Sequence, residues 1–286
     1  MIVSMGSTIN SSLRGHTCEE DTYIVSWNIN GWRAATKKGL ARWLQRTRPD
    51  LVCIQETRLS GDQIQSLAKD IPGYHSHWHG GSRPGYSGTA ILSLAAPRAA
   101  YPTGVPVLDA EGRALVAEFD DFVALNVYVP NGNRGDERLK LKHTFLDAVV
   151  RFAQHATHFT AKPVVICGDF NTAHSPKDVA RPDRAGRKSG FLPSERRLLD
   201  RLVSAGWEDA YRTLYPDSST AFTWWAAHAD ARRRNVGWRF DYIFVARNQM
   251  SALADARIHS RVAISDHCPT SVRLTLDGVQ RAISTE

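Results

Sequence analysis

The chain has 286 residues, 42% hydrophobic and 23% charged, which excludes a disordered, collagen-like or membrane-embedded polypeptide. Lys and Arg outnumber Asp and Glu by 36 to 29, for a formal net charge of +7, and 28 of the 36 cations are arginine. That excess suits a polyanionic partner, because a guanidinium forms bidentate bonds to phosphate and stacks on flat rings.

Residues 1–21 are polar and rich in Ser and Thr, with no apolar segment of a secretory signal, and are expected to form a disordered extension. From Tyr23 onward, short apolar runs alternate with amphipathic stretches. Strands are predicted at Tyr23–Trp27, Leu51–Gln55, Thr89–Leu94, Ala114–Phe119, Phe122–Val129, Val164–Cys167, Phe240–Ala246 and Ser271–Leu276. Helical faces are carried by Leu40, Trp43, Leu44 and Thr47, then by Leu139, Leu146, Val149, Val150 and Ala153. A third face, Leu198, Leu199, Leu202 and Val203, is stopped by Gly206. Strands outnumber helices, and several follow one another directly, so a mixed sheet or two sheets covered by helices is expected. The polar segment from His174 to Gly190, broken by Pro176 and Pro182, reads as a long functional loop.

Cys18, Cys53, Cys167 and Cys268 include no CxxC pair, and Cys53 and Cys167 lie in apolar runs. Free thiols and a soluble, intracellular, cytoplasmic protein are therefore expected. No apolar stretch approaches the ~20 residues of a membrane helix. His75, His77 and His79 alternate, yet no carboxylate or Cys at matching spacing supports a zinc site. Gly186–Ser189 lacks the earlier glycine of a phosphate loop.

The chemistry is concentrated at strand ends. Asn28 and Asn30 follow the first strand, Glu56 the second, and Tyr128, Pro130 and Asn131 the run through Asn126. Asp169 and Asn171 follow Val164–Cys167, Asp241 sits on a later run, and Asp266-His267 follows Ile264. If these ends converge they form an oxygen-rich pocket with one histidine, suited to Mg²⁺ and phosphate chemistry.

The segments Ser26–Gly31, Pro49–Arg58, Gly85–Gly88, Tyr128–Asn131, Gly168–His174, Gly237–Tyr242 and Ser265–Pro269 resemble, in order, the motifs of the exonuclease III family of apurinic/apyrimidinic (AP) endonucleases. The resemblance implies an α/β (α+β), DNase I-like four-layer sandwich. Two packed mixed sheets flanked by helices would form a single domain over residues 22–278, followed by a tail at 279–286. It also implies a monomeric DNA repair nuclease that incises 5′ to abasic sites and resects or cleans 3′ ends of double-stranded DNA. The cofactor would be Mg²⁺, with Mn²⁺ as a substitute. By resemblance, Tyr128, Asp169, Asn171, Asp241 and His267 are catalytic. Glu56, Asn28, Asn30, Asp169, Asn171, Asp266 and His267 would hold metal. DNA contacts fall to Tyr86, Asn131, Arg134, Trp224, Trp225, Trp238 and Arg239, with Arg232, Arg233 and Arg234 beside the tryptophans.

The chain departs from the family at Ala185-Gly186-Arg187-Lys188, where many members carry two asparagines, and in the loop Ser175–Ala180. A same-fold phosphodiesterase, a nonspecific DNase and an inactive DNA-binding module are the competing readings. The last is opposed by the presence of Glu56, Asp169, Asn171 and His267.

Overall fold

The computed structural model describes residues 21–67, 71–133 and 135–275. The expected N-terminal extension up to residue 20, the tail, Cys18, Leu276 and Arg134 lie outside the described residues.

Two six-stranded sheets carry the fold. The first runs in the order Leu253–Ile258 (β13), Thr270–Leu274 (β14), Thr22–Asn28 (β1), Leu51–Gln55 (β2), Thr89–Ser93 (β4) and His75–His79 (β3). The second runs Ala99–Tyr101 (β5), Ala114–Glu118 (β6), Val123–Tyr128 (β7), Val164–Asp169 (β8), Asp241–Ala246 (β12) and Trp207–Asp209 (β9). A short ribbon pairs Trp224–Trp225 (β10) with Gly237–Trp238 (β11). Helices Trp32–Lys37 (α1), Leu40–Thr47 (α2) and Gly61–Leu67 (α3) precede β3, and Pro106–Asp109 (α4) precedes β6. Asp136–Thr160 (α5) joins β7 to β8, while Pro182–Ala185 (α6), Pro193–Ser204 (α7) and Ala210–Leu214 (α8) lie between β8 and β10.

Side-chain parity explains why the strand runs are almost wholly apolar. Ile24, Cys53, Ala124, Val165 and Cys167 point between the sheets. Val25, Trp27, Val52 and Ile54 face the other way onto Leu40, Trp43 and Leu44 of α2. Val123, Leu125, Val127, Val164 and Ile166 face Phe145, Val149, Leu198 and Leu199 of α5 and α7. Strands buried on both faces read as continuous hydrophobic runs, and that is why they were predictable. Gly206, at φ +110°, follows α7 as expected of a residue just past a helix end. The ribbon, β5, β9 and β13 escaped prediction because two to six residues with mixed character carry no clear period.

Each sheet contains one parallel pair, β1 with β2 and β7 with β8, and the other pairings of the two sheets are antiparallel. Along all four parallel strands the inward face changes from apolar to polar toward the C-terminal end. Ile24 gives way to Ser26 and Asn28, Cys53 to Gln55, Ala124 to Asn126 and Tyr128, and Cys167 to Asp169. Below the polar end, one buried amide joins the sheets. Asn126 Nδ2 donates to the carbonyls of Ile54 and Ala90 at 2.9 Å, and its Oδ1 accepts from Gln55 Nε2 at 2.8 Å.

Replacing Asn126 by Leu should strand those carbonyls and the Gln55 amide in the interior. Unfolding free energy in urea is expected to fall by about 3 kcal/mol. A loss below about 0.5 kcal/mol would show that the sheets keep their alignment without it.

Candidate active site

The polar strand ends open onto a cleft of about 1310 Å³. Three residues within two positions of a strand end adopt left-handed backbone angles: Asn30 at φ +51°, Glu56 at +56° and Asn171 at +48°. Such angles are uncommon for residues with side chains, and they cluster where a site over-determines them. Here each turns the chain sharply at the sheet edge beside the cleft. Asn28 Nδ2 donates to Glu56 Oε2 at 3.1 Å and to Asp169 Oδ2 at 2.9 Å, tying the carboxylates of two sheets through one amide. Asn171 Nδ2 donates to the Val129 carbonyl, its Oδ1 accepts from Asn131 Nδ2 at 3.1 Å, and its backbone N–H donates to Asp169 Oδ1.

Asp169 stands directly opposite Asp241 in the β8–β12 ladder, both buried. Two carboxylates at facing positions repel each other unless a cation separates them. His267 supplies it. Its Nδ1 lies 2.8 Å from Asp241 Oδ2, and its Nε2 lies 3.9 Å from Asp169 Oδ2. Burial alone would lower the pKa of this imidazole, but the Asp241 and Asp169 carboxylates raise it to about 10. Burial pushes the Asp169 carboxyl up to about 7, with the His267 charge opposing and Asp241 adding to the rise. A cationic donor and a carboxyl that changes state near neutrality therefore face one cleft.

Tyr128 is held beside them. Its phenol is pushed well above its ordinary pKa by burial and by the nearby Glu56 and Asp169 charges, so it is a proton donor. Beneath it lies a group that sequence reasoning missed. The Arg113 guanidinium sits 4.5 Å from the Tyr128 ring centroid, donates to the Tyr128 carbonyl and pairs with Glu111 at 2.6 Å. Tyr86 donates to the same Glu111 carboxylate. A lone Arg at the head of the buried run Ala114–Glu118 was the available signal.

The residues from Val25 to His267 match the model of the "Endonuclease/Exonuclease/phosphatase family". This chain belongs to that family. It is 36% identical over 255 residues to an exodeoxyribonuclease of Bacillus subtilis (strain 168), covering 88% of this chain and 99% of that one. It is 38% identical over 257 residues to the DNA repair nuclease APEX1 of Danio rerio, covering 88% and 82%. The fold superposes on the crystal structure of the AP endonuclease LMAP from Leishmania major with TM-score 0.81, at 26% identity, covering 89% and 88%. The two-sheet, helix-flanked sandwich is the DNase I-like fold of these enzymes.

Within this family member, Asn28, Asn30, Glu56, Tyr86, Tyr128, Asn131, Asp169, Asn171, Trp224, Trp238, Asp266 and His267 all line the one cleft. Asp241 sits behind His267. Two expected DNA contacts do not reach it. Trp225 is buried with its Nε1 donating to Asn235, because neighbouring residues of a strand point to opposite faces and Trp224 takes the cleft side. Arg239, 1% exposed, is interior for the same reason. It pairs with Asp178 and Asp209 at 2.7 Å and lies over the Tyr242 ring. Arg232 is also structural: it stacks on Trp225 and donates to the carbonyls of Ser260, Val262 and Ser265. Arg233 pairs on the surface with Asp230, and Arg234 lines the cleft. The segment expected to be one long loop folds into a 3₁₀ turn at Pro176–Asp178 and into α6.

The donor set fits a hard divalent cation. Glu56, Asp169, Asn28, Asn171, Asn30 and Asp266 offer oxygens, and the Asn30 Oδ1 is buried without a hydrogen-bond partner among the described residues. One ligand atom each from Asp169, Asp241 and His267 lies within 4.8 Å of the others. His267 Nδ1 is taken by Asp241, and its Nε2 faces Asp169.

Asp241→Asn removes a charge that raises both partners. A mechanism that uses ionised Asp169 and protonated His267 makes the wild-type rate rise with pH through about 7 and fall near 10. In Asp241→Asn both limbs should move to lower pH, the alkaline limb farther because the bond from His267 Nδ1 then goes to a neutral amide oxygen and not to a carboxylate. A pH–kcat profile with the alkaline limb unmoved would show that Asp241 does not hold the proton on His267.

Proposed function

We propose that this chain is a DNA repair nuclease that hydrolyses phosphodiester bonds in duplex DNA. It incises 5′ to abasic sites and resects or cleans 3′ ends. The observation that carries the reading is the buried set Asp169, His267 and Asp241, opening onto a cleft that Trp224 and Trp238 share. The names of the similar proteins, an exodeoxyribonuclease, a DNA repair nuclease and an AP endonuclease, support both activities.

Asp169 takes a proton from water as the water oxygen attacks phosphorus. The P–O3′ bond breaks, and the strand end leaves as a 3′-hydroxyl with a proton from the Tyr128 phenol, which is reprotonated from solvent. Asn171 and Asn131 hold the water or a non-bridging oxygen. His267 and Tyr128 donate to phosphoryl oxygens as negative charge accumulates there. Glu56, Asp169, Asn28, Asn171, Asn30 and Asp266 are the residues that would hold Mg²⁺, or Mn²⁺ in its place. A divalent ion there supplies positive charge to the leaving oxygen.

Trp224 stacks on Phe240 at 5.5 Å, and Trp238 lies 5.3 Å from the same ring. This aromatic wall, with Trp224 Nε1 anchored on Asp266, suits apolar contact with a deoxyribose that has lost its base. The protein acts as a monomer, since one chain supplies the full constellation.

The test is cleavage of duplexes carrying an abasic analogue or a blunt 3′ end, with Mg²⁺ or with excess EDTA. Both products should form with Mg²⁺ and neither with EDTA. Asp169→Ala and His267→Ala should each lower turnover by roughly 10²-fold or more. Trp224→Ala and Trp238→Ala should impair abasic incision more than 3′ resection. Full activity in EDTA would remove the metal assignment, and unchanged turnover of Asp169→Ala would remove the proposed base.

A further inference from the structure

Behind the cleft, α5 carries Lys142, a cation with no exposed surface that the mechanism above does not use. Its Nζ donates to two acceptors, the backbone carbonyl of Asn171 at 2.7 Å and Glu195 Oε1 at 2.7 Å. Glu195, equally buried at the start of α7, is filled with donors. Its Oε1 also accepts from Ser189 Oγ, and its Oε2 from the N–H groups of Gly190 and Leu192. The ammonium thus sits between the turn that aims Asn171 and the segment that closes the α6 loop, on which Arg181, Arg184, Arg187 and Lys188 line the cleft.

The packing around this junction leaves no slack. A Cβ on Gly132 would lie 2.4 Å from Ser189 Oγ and 3.3 Å from Glu195 Oε1. A Cβ on Gly190 would lie 3.1 Å from Phe240 and 3.3 Å from the Asn171 carbonyl. Ala173 N–H donates to the Gly190 carbonyl at 2.7 Å, so residues 171–173 and 189–191 lie against each other. Asn171 itself has φ +48°, an angle that needs external restraint in a residue with a side chain. The Asn171 side chain and N–H bond to Val129, Asn131 and Asp169, and Lys142 Nζ is the donor to its carbonyl, so the placement of the whole residue depends on these bonds together.

We propose that Lys142 is a positioning residue for phosphodiester hydrolysis. By holding the Asn171 carbonyl against the Glu195-capped loop, it sets the angle at which the Asn171 amide meets the water and phosphate. The proposal rests on the nuclease reading given above. Because the restraint acts on the geometry of the reacting groups, its loss is read in kcat and not in DNA affinity. Because Glu195 joins the same ammonium to the cation-bearing loop, the loop and the Asn171 amide keep one fixed spacing.

The test uses the full chain with Mg²⁺ on the abasic-analogue duplex, well below the melting temperature of each variant. Lys142→Met leaves Glu195 as an uncompensated buried charge and is expected to lower the melting temperature. The double variant Lys142→Met with Glu195→Gln removes that charge and should recover most of the lost thermal stability. In both, kcat should fall roughly 10- to 100-fold, the size expected for misplacement by about 1 Å. KM and the Kd for the duplex, measured by anisotropy, should stay within about twofold. Recovery of wild-type kcat together with stability in the double variant overturns the proposal and makes Lys142 a purely structural charge. Wild-type kcat with raised KM also overturns it. Should the single variant fail to fold, the double variant decides alone. A wild-type protein that cleaves neither duplex would instead count against the nuclease reading itself.

Discussion

Everything at the site hangs on how two separately hydrogen-bonded sheets are held in alignment. The apolar layer between them is non-directional and would tolerate sliding. The Asn126 amide does not, since it reaches from β7 to the carbonyls of Ile54 and Ala90 and to Gln55 on the opposing sheet. It lies two residues before Tyr128, and Gln55 lies one residue before Glu56. The alignment is therefore fixed close beneath the point where Glu56 from one sheet and Asp169 from the other meet on the Asn28 amide. A buried polar group of this kind contributes less to net stability than to choosing one arrangement among several.

Given that alignment, the topology concentrates acids. Four parallel strands end at one edge, and an antiparallel neighbour begins there with Asp241 facing Asp169. The resulting repulsion is offset by three buried or half-buried cations reaching in from different places. His267 separates Asp169 from Asp241, Arg113 lies under Tyr128, and Lys142 sits behind Asn171. The fold thus uses fixed positive charge as scaffolding around a region that must stay negative enough for a cation. The same economy runs through Arg239, whose two acidic partners come from the 3₁₀ turn and from β9.

The strand cores and most of the polar strand ends were legible in the amino-acid sequence, for a physical reason. Doubly buried strands are continuously apolar, so a polar residue ending such a run stands out, as Asp169 does after Val164–Cys167. What was not legible was side-chain direction in short elements. Trp224 and Trp225 are chemically the same, and only pairing with Trp238 and Gly237 settles which one faces the cleft. Charge misled as well. Arg232 and Arg239 add to the basic balance that suggested DNA, yet one caps three carbonyls and the other is interior. Lys142 and Glu195 lie 53 residues apart, and nothing local in either helix announces the partner.

The two-residue ribbon has a consequence for how such an enzyme can vary. Its cleft side presents Trp224 and Trp238, while its other side packs Trp225 against Phe222 and Cys268. Residues 226–236 connect the two strands, and a change of length there leaves both faces in place only where it spares Ala231, Arg232 and Asn235, which pack on or bond to Trp225. A single insertion or deletion within the ribbon would instead exchange the two tryptophans, turning an interior anchor toward solvent and withdrawing the wall of the cleft. Length variation among homologues is therefore expected to avoid both the ribbon and those anchors, so the variation the connector does allow leaves the tryptophan wall in place.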